Sequence, residues 1–130
     1  MTLLDVLAAL LRGASQQSAS TDGVCVTDFS RLTRLLPYVP GTIVYYTVDG
    51  TTAFRFRFEL QANGDIRIYI LEQPPYGGRD ASPQTTHRLS DGVRRYICFE
   101  PLPRTREDAR KLAKAWSELT LTYVRTGKRF

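Results

Sequence analysis

Thr42-Ile-Val-Tyr-Tyr-Thr-Val48, Asp49-Gly50, Thr51-Thr-Ala-Phe-Arg-Phe-Arg-Phe-Glu-Leu60, Gln61-Ala-Asn63-Gly64 and Asp65-Ile-Arg-Ile-Tyr-Ile-Leu71 form the continuous stretch that decides the fold. Residues 42–48 are rich in β-branched and aromatic side chains, which suit a pleated surface, and Asp49-Gly50 is a pair favoured in hairpin turns because both positions accept positive φ. Residues 51–60 then alternate, with Phe54, Phe56 and Phe58 on one face and Arg55, Arg57 and Glu59 on the other. Asn63-Gly64 makes a second turn, and residues 65–71 oppose Ile66, Ile68 and Ile70 to Arg67 and Tyr69. Period-two alternation of this kind predicts three antiparallel strands with an apolar face against a core and a polar face toward water.

Working toward the C-terminus, Gln73-Pro74-Pro75-Tyr76-Gly77-Gly78 ends the third strand, since neither proline can donate to a ladder. A long irregular segment follows to His87, Ser90-Asp91-Gly92 forms a turn, and residues 93–100 read as a further strand. Thr105 then caps a helix with Glu107 and Asp108 in its first turn and Gly127 just past its end. Its predicted apolar stripe is Ala109, Leu112, Ala113, Trp116, Leu119 or Thr120, and Tyr123, leaving Arg110, Lys111, Lys114 and Glu118 to water. The tail from Arg125 to Phe130 is basic and expected to be exposed. The fold class predicted is α+β: an antiparallel meander of about four strands with flanking helices.

Toward the N-terminus, Thr27 or Asp28 caps a short helix bearing Phe29, Leu32, Leu35 and Leu36, stopped by Pro37 and Pro40. Residues 13–23 are small and polar without periodicity, as in a linker, and residues 1–12 carry Leu3, Val6, Leu7, Leu10 and Leu11 at helical spacing. The organisation expected is an amphipathic helix with linker over 1–23 and one α+β domain over 24–130. The stripe of residues 1–12 must pack on that domain, on a second copy or on a partner. It lacks the basic lead-in of a secretory signal and is interrupted by Asp5, so a cytoplasmic location is the expectation.

The 130 residues suffice for one core, and no apolar run reaches the roughly 20 residues of a membrane-spanning helix, so no membrane role is expected. Cys25 and Cys98 cannot build a disulfide framework; Cys25, in an apolar run, reads as a structural thiol. Of the net charge of +5, the excess lies late in the chain: residues 86–130 hold 11 Lys and Arg against 5 Asp and Glu. Arg94, Arg95, Arg110, Lys111 and Lys114 are therefore the candidate partner-binding cations, and an acidic protein, nucleic acid or another anionic surface could answer them. The large aromatics of the second strand sit on the apolar side, where a core claims them, which argues against a base-stacking platform.

Chemistry is concentrated at His87, the sole histidine, and Cys98. Alternation puts Ile97 and Phe99 on one face and Arg94, Tyr96, Cys98 and Glu100 on the other, so the thiol lies on the more polar side. Arg94 and Arg95 would favour a thiolate there and Glu100 would oppose it. No spacing of His, Cys, Asp and Glu matches a zinc site, and nothing points to a cofactor.

The order of these elements and motifs resembles the ubiquitin-conjugating (E2) fold, especially divergent bacterial E2-like proteins. The resemblance rests on the helix around 29–36, the strands of 42–71, Pro74-Pro75-Tyr76, His87, Ser90-Asp91-Gly92 and Ile97-Cys98-Phe99-Glu100, followed by Trp116, Tyr123 and Thr126-Gly127-Lys128. It implies a UBC-like fold in which Cys98 accepts the C-terminal carboxyl of a ubiquitin-like protein as a thioester and passes it to an amine. His87 would shape the active-site loop, and the partners would be the ubiquitin-like protein and its activating enzyme. The chain departs from the family pattern in reading His87-Arg88-Leu89 for His-Pro-Asn and in placing Arg94-Arg95-Tyr96 ahead of the cysteine. The alternative is a non-catalytic UBC-like or other α+β module that binds a protein or nucleic acid through its basic C-terminal half.

Overall fold

A computed structural model describes residues 39–130. The helix and linker of 1–23, the Cys25 run and the helix around 29–36 lie outside the described residues.

The three strands expected from alternation are β1 (Ile43–Tyr46), β2 (Ala53–Leu60) and β3 (Ile66–Glu72). β1 pairs with β2 and β2 with β3, both antiparallel. Among the described residues the sheet has five strands, where about four were expected. Two short ones follow: β4 (Arg88–Asp91) and β5 (Arg94–Ile97), a hairpin whose strands pair with each other. Ser90 and Asp91 thus belong to a strand, and the turn sits at Gly92 and Val93. The spatial order is β1-β2-β3-β5-β4, so the later strand of the hairpin is inserted next to β3 and β4 is left at the edge.

This order constrains the connection after β3. β5 runs antiparallel to both β3 and β4, so β4 runs parallel to β3, and residues 73–87 must carry the chain back along the sheet before β4 begins. Within that return lies a four-residue helix, α1 (Pro83–Thr86), which proline can start because its missing N–H is unneeded in the first turn. Helix α2 (Arg106–Thr126) closes the chain and covers one face of the sheet. Thr105 caps it by accepting a hydrogen bond from the Asp108 N–H, and Gly127 ends it in the left-handed region at φ 76°. A side chain at Gly127 would be strained, and its Cβ would also meet the Arg79 guanidinium.

The core forms where the helix stripe meets the apolar sheet face: Phe54, Phe56, Ile68, Ile97, Leu112 and Trp116 are almost wholly buried. Trp116 sets its edges against Phe54 and Phe56 at 5.9 and 6.2 Å, and its indole N–H donates to the Thr86 carbonyl at 3.0 Å. That bond fastens the returning chain to the helix. Tyr123 donates to the Asp80 carbonyl at 2.8 Å, and Arg79 donates to the Val124 and Arg125 carbonyls at the helix end. The return therefore crosses on the helix side of the sheet.

Three expectations of exposure are corrected. Glu118 does not face water freely: one carboxylate oxygen accepts from the Tyr45 hydroxyl at 2.6 Å and the Val48 N–H at 2.8 Å. The polar sheet face is not uniformly wet, because Arg55 and Tyr69 are 3% and 2% exposed. Arg55 is bonded to Glu72, while Arg94 lies 3.8 Å above the Tyr69 ring and shields it. The basic tail is not wholly free either, since Phe130 is half-buried against the core. Among the described residues no helix is long and apolar enough to cross a membrane.

Candidate functional site around Cys98

Cys98 is the first residue beyond β5. Its N–H donates to the His87 carbonyl at 2.8 Å, which extends the hairpin ladder by one pair. Ile97 is 1% exposed and Phe99 packs against the core, so the backbone is anchored on both sides of the thiol. The thiol is free and the residue half-buried. The strand expected over 93–100 is shorter and ends at Ile97, so Cys98 and Glu100 lie beyond it; within it, Tyr96 pairs with Tyr69 on the face away from the helix, whereas Ile97 enters the core.

His87 does not form a catalytic pair with Cys98. It occupies the left-handed region at φ 53° as the C-cap of α1, with its N–H donating to the Pro83 carbonyl. Its Nε2 is 2.6 Å from the Phe130 backbone oxygen, and the two rings lie 5.1 Å apart. That oxygen only accepts, so Nε2 is the donor and is committed to that bond. No hydrogen bond joins the imidazole to the thiol. The histidine is a strut between the return, the hairpin and the C-terminal tail.

The candidate cations separate into different environments. Arg94 forms ion pairs with Glu59 and Asp91, and its guanidinium stacks on Tyr69. Its charge is consumed on the sheet face and is not directed at Cys98. Arg67 bonds both Tyr69 and Asp91 and lies 4.3 Å over the Tyr96 ring, completing this aromatic and ionic layer. Arg95 pairs in register with Ile70, on the opposite face from Arg94, and is exposed. Lys111 is paired with Glu107 at 3.4 Å. Arg110 and Lys114 carry no ion pair among the described residues and border an apolar depression at the β1 edge. Arg106, which the sequence reading did not single out although it shares their four-residue spacing, lies 5.9 Å from the ring of Phe58, one of the residues lining that depression.

Behind the hairpin, Arg88 donates to the Gln73 side chain at 2.7 Å and lies 4.8 Å over the Tyr76 ring. Burial pushes its pKa down, and Tyr76 opposes that shift. Tyr76 in turn packs beside Tyr123, so the Pro74-Pro75-Tyr76 motif fixes the return on the helix. No group of three or more His, Cys, Asp or Glu suited to a metal ion occurs among the described residues. Comparisons with protein families, with curated proteins and with solved structures found no match for the chain.

Proposed function

We propose that the protein is an E2-like carrier in which Cys98 holds a ubiquitin-like protein as a thioester. The observation that supports this reading is a free thiol on a half-buried residue whose backbone is anchored by Ile97, Phe99 and the His87 carbonyl. In the proposed reaction the Cys98 thiolate attacks the thioester carbonyl on the activating enzyme. A new C–S bond forms and the enzyme's own thiolate leaves. An acceptor amine then attacks the Cys98 thioester, loses a proton to form the amide, and releases the Cys98 thiolate. Thiol exchange of this type needs an accessible thiolate more than a dedicated base, which is compatible with a His87 already engaged by Phe130.

The test is to incubate the full chain with a cognate activating enzyme, ATP and the ubiquitin-like protein, then locate the adduct by peptide mass analysis. The expected product is a thiol-sensitive adduct at Cys98. Cys98→Ser should abolish it or convert it to a reduction-resistant ester, and an undiminished reducible adduct in that variant would remove Cys98 as the carrier. The alternative of a non-catalytic binding module is favoured by a separate observation: Arg106, Arg110 and Lys114 on α2 have no ion pair among the described residues, whereas Lys111 has one. If nucleic acid were the ligand, affinity would fall steeply with salt.

A further inference from the structure

The first half of α2 presents a surface that the carrier reading does not use. Arg106, Arg110 and Lys114 recur at four-residue steps, so they form one ridge about 12 Å long at 1.5 Å per residue. None of the three has a carboxylate partner among the described residues, whereas the neighbouring Lys111 has Glu107. The ridge borders a depression floored by the buried Tyr45 and Phe56. Ile43, Phe58 and Ala113 form its walls, and the Arg106 guanidinium lies 5.9 Å from the Phe58 ring. Among the described residues β1 is an edge strand with no further strand beside it.

Size and charge together select the ligand class. The depression's free volume is about 20 Å³, far below the roughly 300 Å³ at which small-molecule pockets begin. It accommodates the tip of an apolar side chain rather than a cofactor. A polyanion such as nucleic acid would use the cations but gain nothing from the apolar floor, while an acidic amphipathic helix uses both. Carboxylates four residues apart on such a helix repeat at the same interval as the ridge, and its apolar stripe falls over the depression.

We propose that this surface docks an acidic amphipathic helix of a protein partner, with leucine-type side chains in the depression and carboxylates against Arg106, Arg110 and Lys114. The proposal does not depend on the chemistry assigned to Cys98. It is tested on the full chain with a fluorescent helical peptide of about 18 residues, long enough to be helical on binding. The peptide bears one Leu stripe flanked by Glu at four-residue spacing, and a control carries Lys in place of every Glu. The expected result is saturable binding of the Glu peptide, with amide shifts at Ile43 and Phe58, at least tenfold tighter than the Lys peptide and weakened by salt. Arg110→Glu/Lys114→Glu, two changes outside the core and checked for folding by circular dichroism, should lower the affinity about tenfold or more. Equal affinity for the two peptides, undiminished binding by the double variant, or no binding by the unmodified chain would each overturn the proposal. The last outcome includes the case in which the chain's own residues 1–38 occupy the groove.

Discussion

At the scale of single residues, Trp116 does most to join the parts. It is fully buried, meets Phe54 and Phe56 edge-on, and supplies the N–H that satisfies the Thr86 carbonyl. Trp116→Ala removes all three contacts and should cost about 3–5 kcal/mol in urea unfolding. Trp116→Phe keeps much of the ring packing and loses chiefly the hydrogen bond, leaving a buried carbonyl unpaired, so it should cost about 1–3 kcal/mol. Equal costs would assign the stabilisation to the hydrogen bond rather than to packing. Placing Trp116 in the core was legible from its position on the helix stripe. The Thr86 partner was not, because a carbonyl in an irregular segment leaves no mark in sequence. The same limit applies to Glu118 and Phe130: one is a charged residue at a helical surface position and the other lies in a basic tail, and only the folded arrangement brings Tyr45, Val48 and His87 to them.

At the scale of elements, the far end of α2 is tied to the β1–β2 turn by Arg125, which bonds Asp49 and Thr51, each at 2.6 Å. The Arg125 guanidinium, with help from the Thr51 N–H, holds the Asp49 carboxyl well below the usual carboxylate range. A depressed folded-state pKa stabilises the fold above the unfolded value near 3.8, and the contribution is lost as pH falls through and below that value. The stability gap between the native protein and Arg125→Ala should therefore be constant from neutral pH to about pH 5 and shrink progressively below pH 4. Both side chains are substantially exposed, at 49% and 41%, so the gap at neutral pH should be about 1 kcal/mol or less and fall further in high salt. Urea titrations at stepped pH give the measurement, and a gap that persists undiminished well below pH 3 would show that the contact is not chiefly electrostatic. The caps of α2 were readable because Thr105 and Gly127 act through local geometry. β4 was not: Arg88-Leu89-Ser90-Asp91 has one apolar residue and little strand propensity, and it is a strand because β5 pairs with it.

At the scale of the whole molecule, the sheet is unevenly joined, and the candidate site lies on its weaker part. β2 and β3 share six register pairs, whereas β5 meets β3 at only two, Tyr69 with Tyr96 and Ile70 with Arg95. The β4–β5 hairpin is thus held to the rest by those pairs, by Ile97 in the core and by the stacking of Arg94 and Tyr96 around Tyr69. Sequence alternation predicted the faces of β2 and β3 because the strands are long enough for a period to repeat. It could not predict that β5 would enter between β3 and β4, since strand order depends on the path of residues 73–87 across the helix side. The physical consequence is a hairpin that opens as a unit at lower cost than the β2–β3 ladder. In native-state hydrogen exchange, the bonded amides of β4 and β5, with that of Cys98, should lose protection together. Those of Phe56, Phe58 and Ile68 should exchange only on global unfolding. Equal protection for Tyr96 or Ile97 and for Phe56 would refute the division. Because the Cys98 N–H bonds to His87 within the same hairpin, each opening also releases the backbone that holds the thiol. Alkylation of Cys98 by iodoacetamide should accordingly show an added component that rises with denaturant at concentrations too low to unfold β2 and β3.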